Sequence, residues 1–145
     1  MTQLSEHFSL EELIISEVAI RHGIDNKPSG DIVVNLTRLA NVLEKVRALL
    51  NKPIHVNSAF RSPLVNHLLG SKPISQHCIG CAADITVNGI TPDQIIKAVV
   101  NSKIAYDQVI REFDSWVHIS IPSNETVKPR KQALIIDKQG TRPYT

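Results

Sequence analysis

The sequence predicts an α+β fold, with a small antiparallel sheet as its core and helices flanking it. Three observations lead there. Apolar residues recur at helical three-and-four spacing through the first half of the chain, strand-like runs fill most of the second half, and the two kinds do not alternate as parallel βαβ units would. No internal repeat, low-complexity tract or linker interrupts the 145 residues, so 1–145 reads as a single domain.

Taken in order, Ser9-Leu10-Glu11-Glu12 has the form of a capping box, and Leu13, Ile14, Val18 and Ala19 follow it. This predicts one helix over 9–22, stopped by Gly23. Residues 24–30 carry turn chemistry. The strongest helix follows, because Ile32, Leu36, Leu39, Ala40, Leu43, Val46 and Leu50 fall on one face; it should end near Asn51, before Lys52-Pro53. Residues 54–57 read as a short strand. Pro63 suits the first turn of a short helix through Leu69, and 70–81 reads as a loop rich in Ser, Pro and Gly. A strand over 82–87 comes next. Thr91-Pro92-Asp93 caps and opens a helix to about Asn101. Strands are expected at 107–111, 116–121 and 132–137.

Composition bounds the function. A hydrophobic fraction of 42% with 21% charged residues excludes disordered and collagen-like classes. A net charge of +2 lacks the basic excess of a nucleic-acid binder, so no nucleic-acid partner is expected. No run approaches the roughly 20 apolar residues of a membrane span, so no membrane insertion is expected. Residues 1–7 show no basic segment followed by an apolar one, which predicts a protein that is cytoplasmic as synthesised.

The stretch Ser75-Gln76-His77-Cys78-Ile79-Gly80-Cys81-Ala82-Ala83-Asp84 carries the chemistry. A histidine on the loop and an aspartate on the strand can converge on one point, and His118 in Trp116-Val117-His118 supplies a third donor. Two imidazoles and one carboxylate suit Zn2+ and leave its fourth position open, as a catalytic zinc requires. The bland alternative is that His118, inside an apolar strand, is a hydrogen-bonded core residue.

The pattern S-x-H-x-x-G-x-A-x-D followed by W-x-H resembles the signature of the zinc D-Ala-D-Ala peptidases, the M15 group of carboxypeptidases, dipeptidases and phage L-Ala-D-Glu endolysins. Ser75, His77, Gly80, Ala82 and Asp84 supply the first motif, and Trp116 and His118 the second. Ser58-Ala59-Phe60-Arg61-Ser62 is similar to the family's S-x-x-R-S segment, and residues 7–12 look like its small phage and prophage branch. The resemblance implies a hedgehog-like or D-Ala-D-Ala-peptidase-like fold with zinc on His77, Asp84 and His118. Arg61 would grip the scissile carbonyl or a substrate carboxylate, and Ser75, Gln76 and Trp116 would face the substrate. The substrate implied is a peptidoglycan stem peptide, cut by a carboxypeptidase or an endopeptidase, by a monomer reaching the cell wall after phage-type release.

Where several relatives carry a carboxylate three residues before the last histidine, this chain has Ser115. The candidate general bases are therefore Glu112 and Asp114. On one regular strand both would share the face of His118, whereas a turn at 114–115 would break that parity. The resemblance favours Glu112. The departure at Ser115 also motivates a rival reading, a zinc-bearing module that binds wall peptide or a phage protein without cutting it. Cys78 and Cys81 are the only cysteines, too few for a zinc ribbon, and are read as packing residues beside His77.

Overall fold

A computed structural model describes residues 2–71 and 75–145. The first helical segment is two helices rather than the single one expected. α1 covers Leu10–Ile14 and α2 covers Glu17–His22. The break is chemical: Ile15 is extended and the Ser16 hydroxyl accepts from Ala19 N at 3.2 Å, so the serine caps a new helix instead of continuing the old one. Gly23 ends α2 in the left-handed conformation (φ 62°), as expected of that glycine. α3, Gly30–Leu50, presents Leu36, Leu39, Ala40, Leu43 and Val46 to the core and ends at left-handed Asn51.

β1 (His55–Ser58), α4 (Pro63–Leu68), a 3₁₀ turn (Gln76–Ile79) and β2 (Ala82–Thr86) follow. The 3₁₀ turn lies inside the segment expected to be a plain loop; residues 72–74 of that loop lie outside the described residues. α5, Pro92–Val100, opens with a full capping box between Thr91 and Gln94. The chain then forms β3 (Gln108–Glu112), β4 (Trp116–Ser120), β5 (Gln132–Asp137) and β6 (Gly140–Pro143).

The six strands lie in the order β1-β2-β4-β3-β5-β6. Every pair is antiparallel except β3 and β5, which run parallel, so the expected antiparallel sheet is mostly antiparallel. The exception follows from the connection. β4 ends beside the start of β3, where Asp107 N bonds Ser120 O at 2.8 Å, and residues 121–131 cross that end to start β5 on the outer side of β3.

Strand alternation gives the sheet two chemically different faces. Val56, Ala83, Ile85, Val109, Val117 and Ile119 point to one side and join the apolar residues of α3 and α5 in the core. Asp84, Glu112, Ile110, Trp116 and His118 occupy the other. Among the described residues, no helix is long and apolar enough to cross a membrane.

Candidate metal centre

His77 sits on the 3₁₀ turn, and that turn is pinned from all sides. The Ser75 hydroxyl accepts from His77 N at 3.2 Å, and Gly80 closes the other end in the left-handed conformation. Asn35 on α3 donates to Ile79 O at 2.8 Å. Gln76 Nε2 donates to both Asp107 Oδ2 (3.0 Å) and Ile121 O (3.1 Å), and Arg61 N donates to His77 O (3.2 Å). The position of the imidazole is thus set by α3, the segment after β1, Asp107 just before β3 and Ile121 just after β4.

Asp84 and His118 are brought together by register. They are direct cross-strand partners on β2 and β4, and Ile110 of β3 lies opposite His118 on its other side. His77 Nε2 stands 3.3 Å from Asp84 Oδ1, and His118 Nδ1 stands 3.2 Å from the same oxygen. The three donor atoms all lie within 4.8 Å of one another, and the two rings meet edge-on with centroids 5.1 Å apart.

The arrangement fits a metal ion. Donors bound about 2.0–2.1 Å from a tetrahedral zinc are about 3.3–3.4 Å apart, which matches both contacts to Asp84. His77 Nδ1 lies 2.7 Å from Ala59 O, a carbonyl that can only accept, so this nitrogen carries the proton. Burial pushes the His77 pKa down, more than the neighbouring Asp84 pulls it up. With Nδ1 turned to Ala59 O, Nε2 is the ring atom left to face the carboxylate and a cation held between them. Burial alone would raise the Asp84 pKa, yet the hydrogen bonds and charge of His118 and His77 outweigh it and hold the carboxyl well below its usual range.

Around this centre is a cleft of about 810 Å³. Arg61, Ser75, Gln76, Glu112 and Trp116 all line it, so the structure gathers every residue singled out from the sequence except Asp114. Glu112 Oε1 is 3.8 Å from His118 Nδ1, and burial, reinforced by the charge of Asp84, raises its pKa. Asp114 belongs elsewhere. Phe113 and Asp114 both take positive φ (53° and 52°), which breaks strand parity and turns Asp114 into an exposed hollow with Lys138 and Arg142. Ser115 is exposed and its hydroxyl donates to Phe113 O at 3.0 Å. Burial lowers the Arg61 pKa, against the opposing pull of Asp84, Cys78 and Glu112, and its Nε is buried without a partner among the described residues. The recorded contacts of Ser75 and Gln76 are to the turn and its anchors. Cys78 and Cys81 are both free thiols, and Cys81 is buried.

Sequence reasoning missed part of the cleft. Gln108, Ile110, Arg130 and Ile136 also line it. Ile110 could have been found only from the β3–β4 register, and Arg130 lies in coil with no local signal.

No curated protein matches the chain. The sequence model of a family described as Peptidase M15 matches residues 6–120, which take in α1 through β4, the three donors, Arg61 and Glu112. On that match and the metal-ready His77–Asp84–His118 cluster, the chain belongs to the peptidase M15 family of zinc-dependent metallopeptidases.

Proposed function

We propose that this protein hydrolyses a peptide bond in peptidoglycan stem peptides, with zinc held by His77, Asp84 and His118. One observation carries the reading: the three donors converge on the floor of a cleft that also presents a raised-pKa carboxylate, Glu112, and a guanidinium, Arg61. The substrate class rests on the likeness to M15 peptidases, whose motifs supply these residues.

Zinc, when bound there, supplies Lewis-acid chemistry, polarising a carbonyl and acidifying water. The chain's own residues do the rest. Glu112 takes the proton of the attacking water and returns it to the leaving amine, a task suited to a carboxylate whose pKa is raised toward neutrality. Arg61 offers N–H donors to the oxygen that gains charge, or to a carboxylate of the substrate. His77 is held in one tautomer by Ala59 O, which keeps Nε2 free for the metal.

Catalysis is favoured over a binding-only module because the acid missing at Ser115 has a replacement in the cleft. Glu112 stands on the same sheet face as His118. The test is mass spectrometry of defined stem peptides after incubation with zinc-loaded protein, with His118→Ala as control. Cleavage by the native protein and none by the variant is expected, and the position of the cut tells carboxypeptidase from endopeptidase. Full zinc occupancy with no cut in any stem peptide would overturn the reading.

A further inference from the structure

We propose that Arg130 is a specificity-determining residue, binding a free carboxylate of the substrate about three residues from the bond that is cut. The inference rests on the peptidase reading above and goes beyond it, since Arg130 lies outside the matched residues 6–120.

Arg130 lines the cleft of the metal centre. Its guanidinium is held in place: Nε and Nη2 donate to Asp107 Oδ2 at 3.0 and 2.6 Å, and its backbone N donates to Asp107 Oδ1 at 3.0 Å. Asp107 is only 4% exposed and also accepts from Gln76, the neighbour of His77. Two of the five guanidinium N–H groups are thereby used. Nη1 has no partner among the described residues, and the side chain remains 55% exposed.

Strand geometry sets the distance. Ile110 is the β3 residue opposite His118, and Asp107 lies three residues before it, about 10 Å along the strand at about 3.3 Å per residue. Glu112 lies two residues the other way. The cleft therefore has a proton-transfer end at Glu112 and a cationic end at Arg130, with the metal donors between. An extended peptide laid along β3 with its scissile bond at the donors brings a group three residues away to Arg130.

The guanidinium has a structural role as the ion-pair partner of buried Asp107, but that role engages only Nε and Nη2 and leaves the Nη1 end turned outward. The connection is already pinned by backbone bonds, Lys131 N to Tyr106 O (3.2 Å) and Gln132 N to Asp107 O (3.0 Å), besides that of Arg130 N. Asp107 is saturated by Arg130 and Gln76, so it does not compete strongly for the outward N–H groups. A preset, partly exposed guanidinium at a cleft mouth is suited to a carboxylate.

The experiment uses zinc-loaded Glu112→Gln protein, with and without Arg130→Gln, and calorimetric binding of one stem tetrapeptide in free-acid and fully amidated forms. Loss of Arg130 should weaken the free-acid peptide about tenfold and leave the amidated one unchanged, as expected for one partly exposed charge-assisted contact. Arg130→Lys should recover part of the loss. Equal weakening of both forms, no weakening, or no binding of the free-acid peptide would each overturn the inference. Turnover of both peptides by the native protein is measured alongside. Absence of any cut there counts against the peptidase reading, while the binding ratio alone decides the role of Arg130.

Discussion

Gly80→Ala should damage both stability and metal binding, and the structure lets the size be worked out. Gly80 stands between the two donors of the first motif, at φ +76°, closing the turn that carries His77. An alanine there meets two penalties. The left-handed conformation costs a non-glycine residue about 1–2 kcal/mol. The added Cβ would also lie 2.9 Å from Ile32 Cγ2, 3.0 Å from Ile32 O and 3.1 Å from Leu36 Cγ. One of those atoms is backbone in the first turn of α3, so the 3₁₀ turn must lift, and overpacking of this kind costs about 1–3 kcal/mol. The sum is about 2–4 kcal/mol once the lower entropy of the unfolded alanine chain is set against it.

Gly23→Ala separates the two terms. Gly23 has the same backbone conformation (φ +62°), but a Cβ there meets nothing within 4 Å. It should lose only the conformational part, about 1 kcal/mol. For a chain of this size the Tm falls about 3 °C per kcal/mol, which predicts losses of about 6–12 °C for Gly80→Ala and about 3 °C for Gly23→Ala. Thermal unfolding of the metal-free proteins measures both, and a zinc titration then shows weakened affinity in Gly80→Ala alone. If the two alanines cost the same within about 0.5 kcal/mol, the close packing of the turn on α3 is refuted as the reason for this glycine.

Further outcomes follow from the same geometry. Saturating zinc should stabilise the native protein by about 4 kcal/mol at a thousandfold excess over Kd, whereas His118→Ala should bind no stoichiometric zinc by elemental analysis and show no such rise in Tm. Glu112→Gln should retain zinc but lose about 10²–10⁴ in kcat on a stem peptide, while Asp114→Asn should keep its rate; the reverse result would move the proton transfer to Asp114. Because burial and Asp84 raise the Glu112 pKa above its ordinary 4.5, kcat/KM should fall as pH drops through that raised value. Folding that raises a carboxyl pKa favours its protonated form, so stability is lost as pH rises from the unfolded value through the folded one. Metal-free Glu112→Gln should therefore melt higher than the native protein at neutral pH, and a lower Tm would contradict the assigned burial.

What the sequence made legible was what is local. The α3 stripe, the Gly23 stop and the Thr91-Pro92 opening of α5 each depend on residues within a turn of one another, and each is present. Ser16 shows the limit. Its hydroxyl can face solvent within a continuous helix or cap a new one, and spacing does not choose. β6 was missed because Gly140-Thr141-Arg142-Pro143 has no apolar alternation; it is held by pairing to β5 and by the Arg142–Asp137 ion pair (2.8 Å). The parallel placement of β5 depends on where 121–131 cross the sheet, a tertiary choice. So does the presence of Arg130 and Ile136 in the cleft. The donor trio was visible because its motif is compact in sequence on one side, residues 75–84, and tied to a neighbouring Trp116 on the other.

The geometry of the three candidate metal donors is, in the end, written by residues outside the cluster. Asp84 faces the cleft because Ala83 and Ile85 face the core, and His118 does so because Val117 and Ile119 are buried beside them. Slipping β2 against β4 by one residue would turn over Ala83, Asp84 and Ile85 together, burying a carboxylate and exposing core side chains. The cost of that exchange is what fixes the 3.2 Å contact between Asp84 and His118. His77 has no such guarantee from strand pairing, and its turn is instead tied by Ser75, Gln76, Asn35 and Arg61 and pressed onto α3 at Gly80. Two donors are thus placed by sheet register and the third by a network of local bonds, so substitutions in that network should change metal affinity with little effect on the sheet.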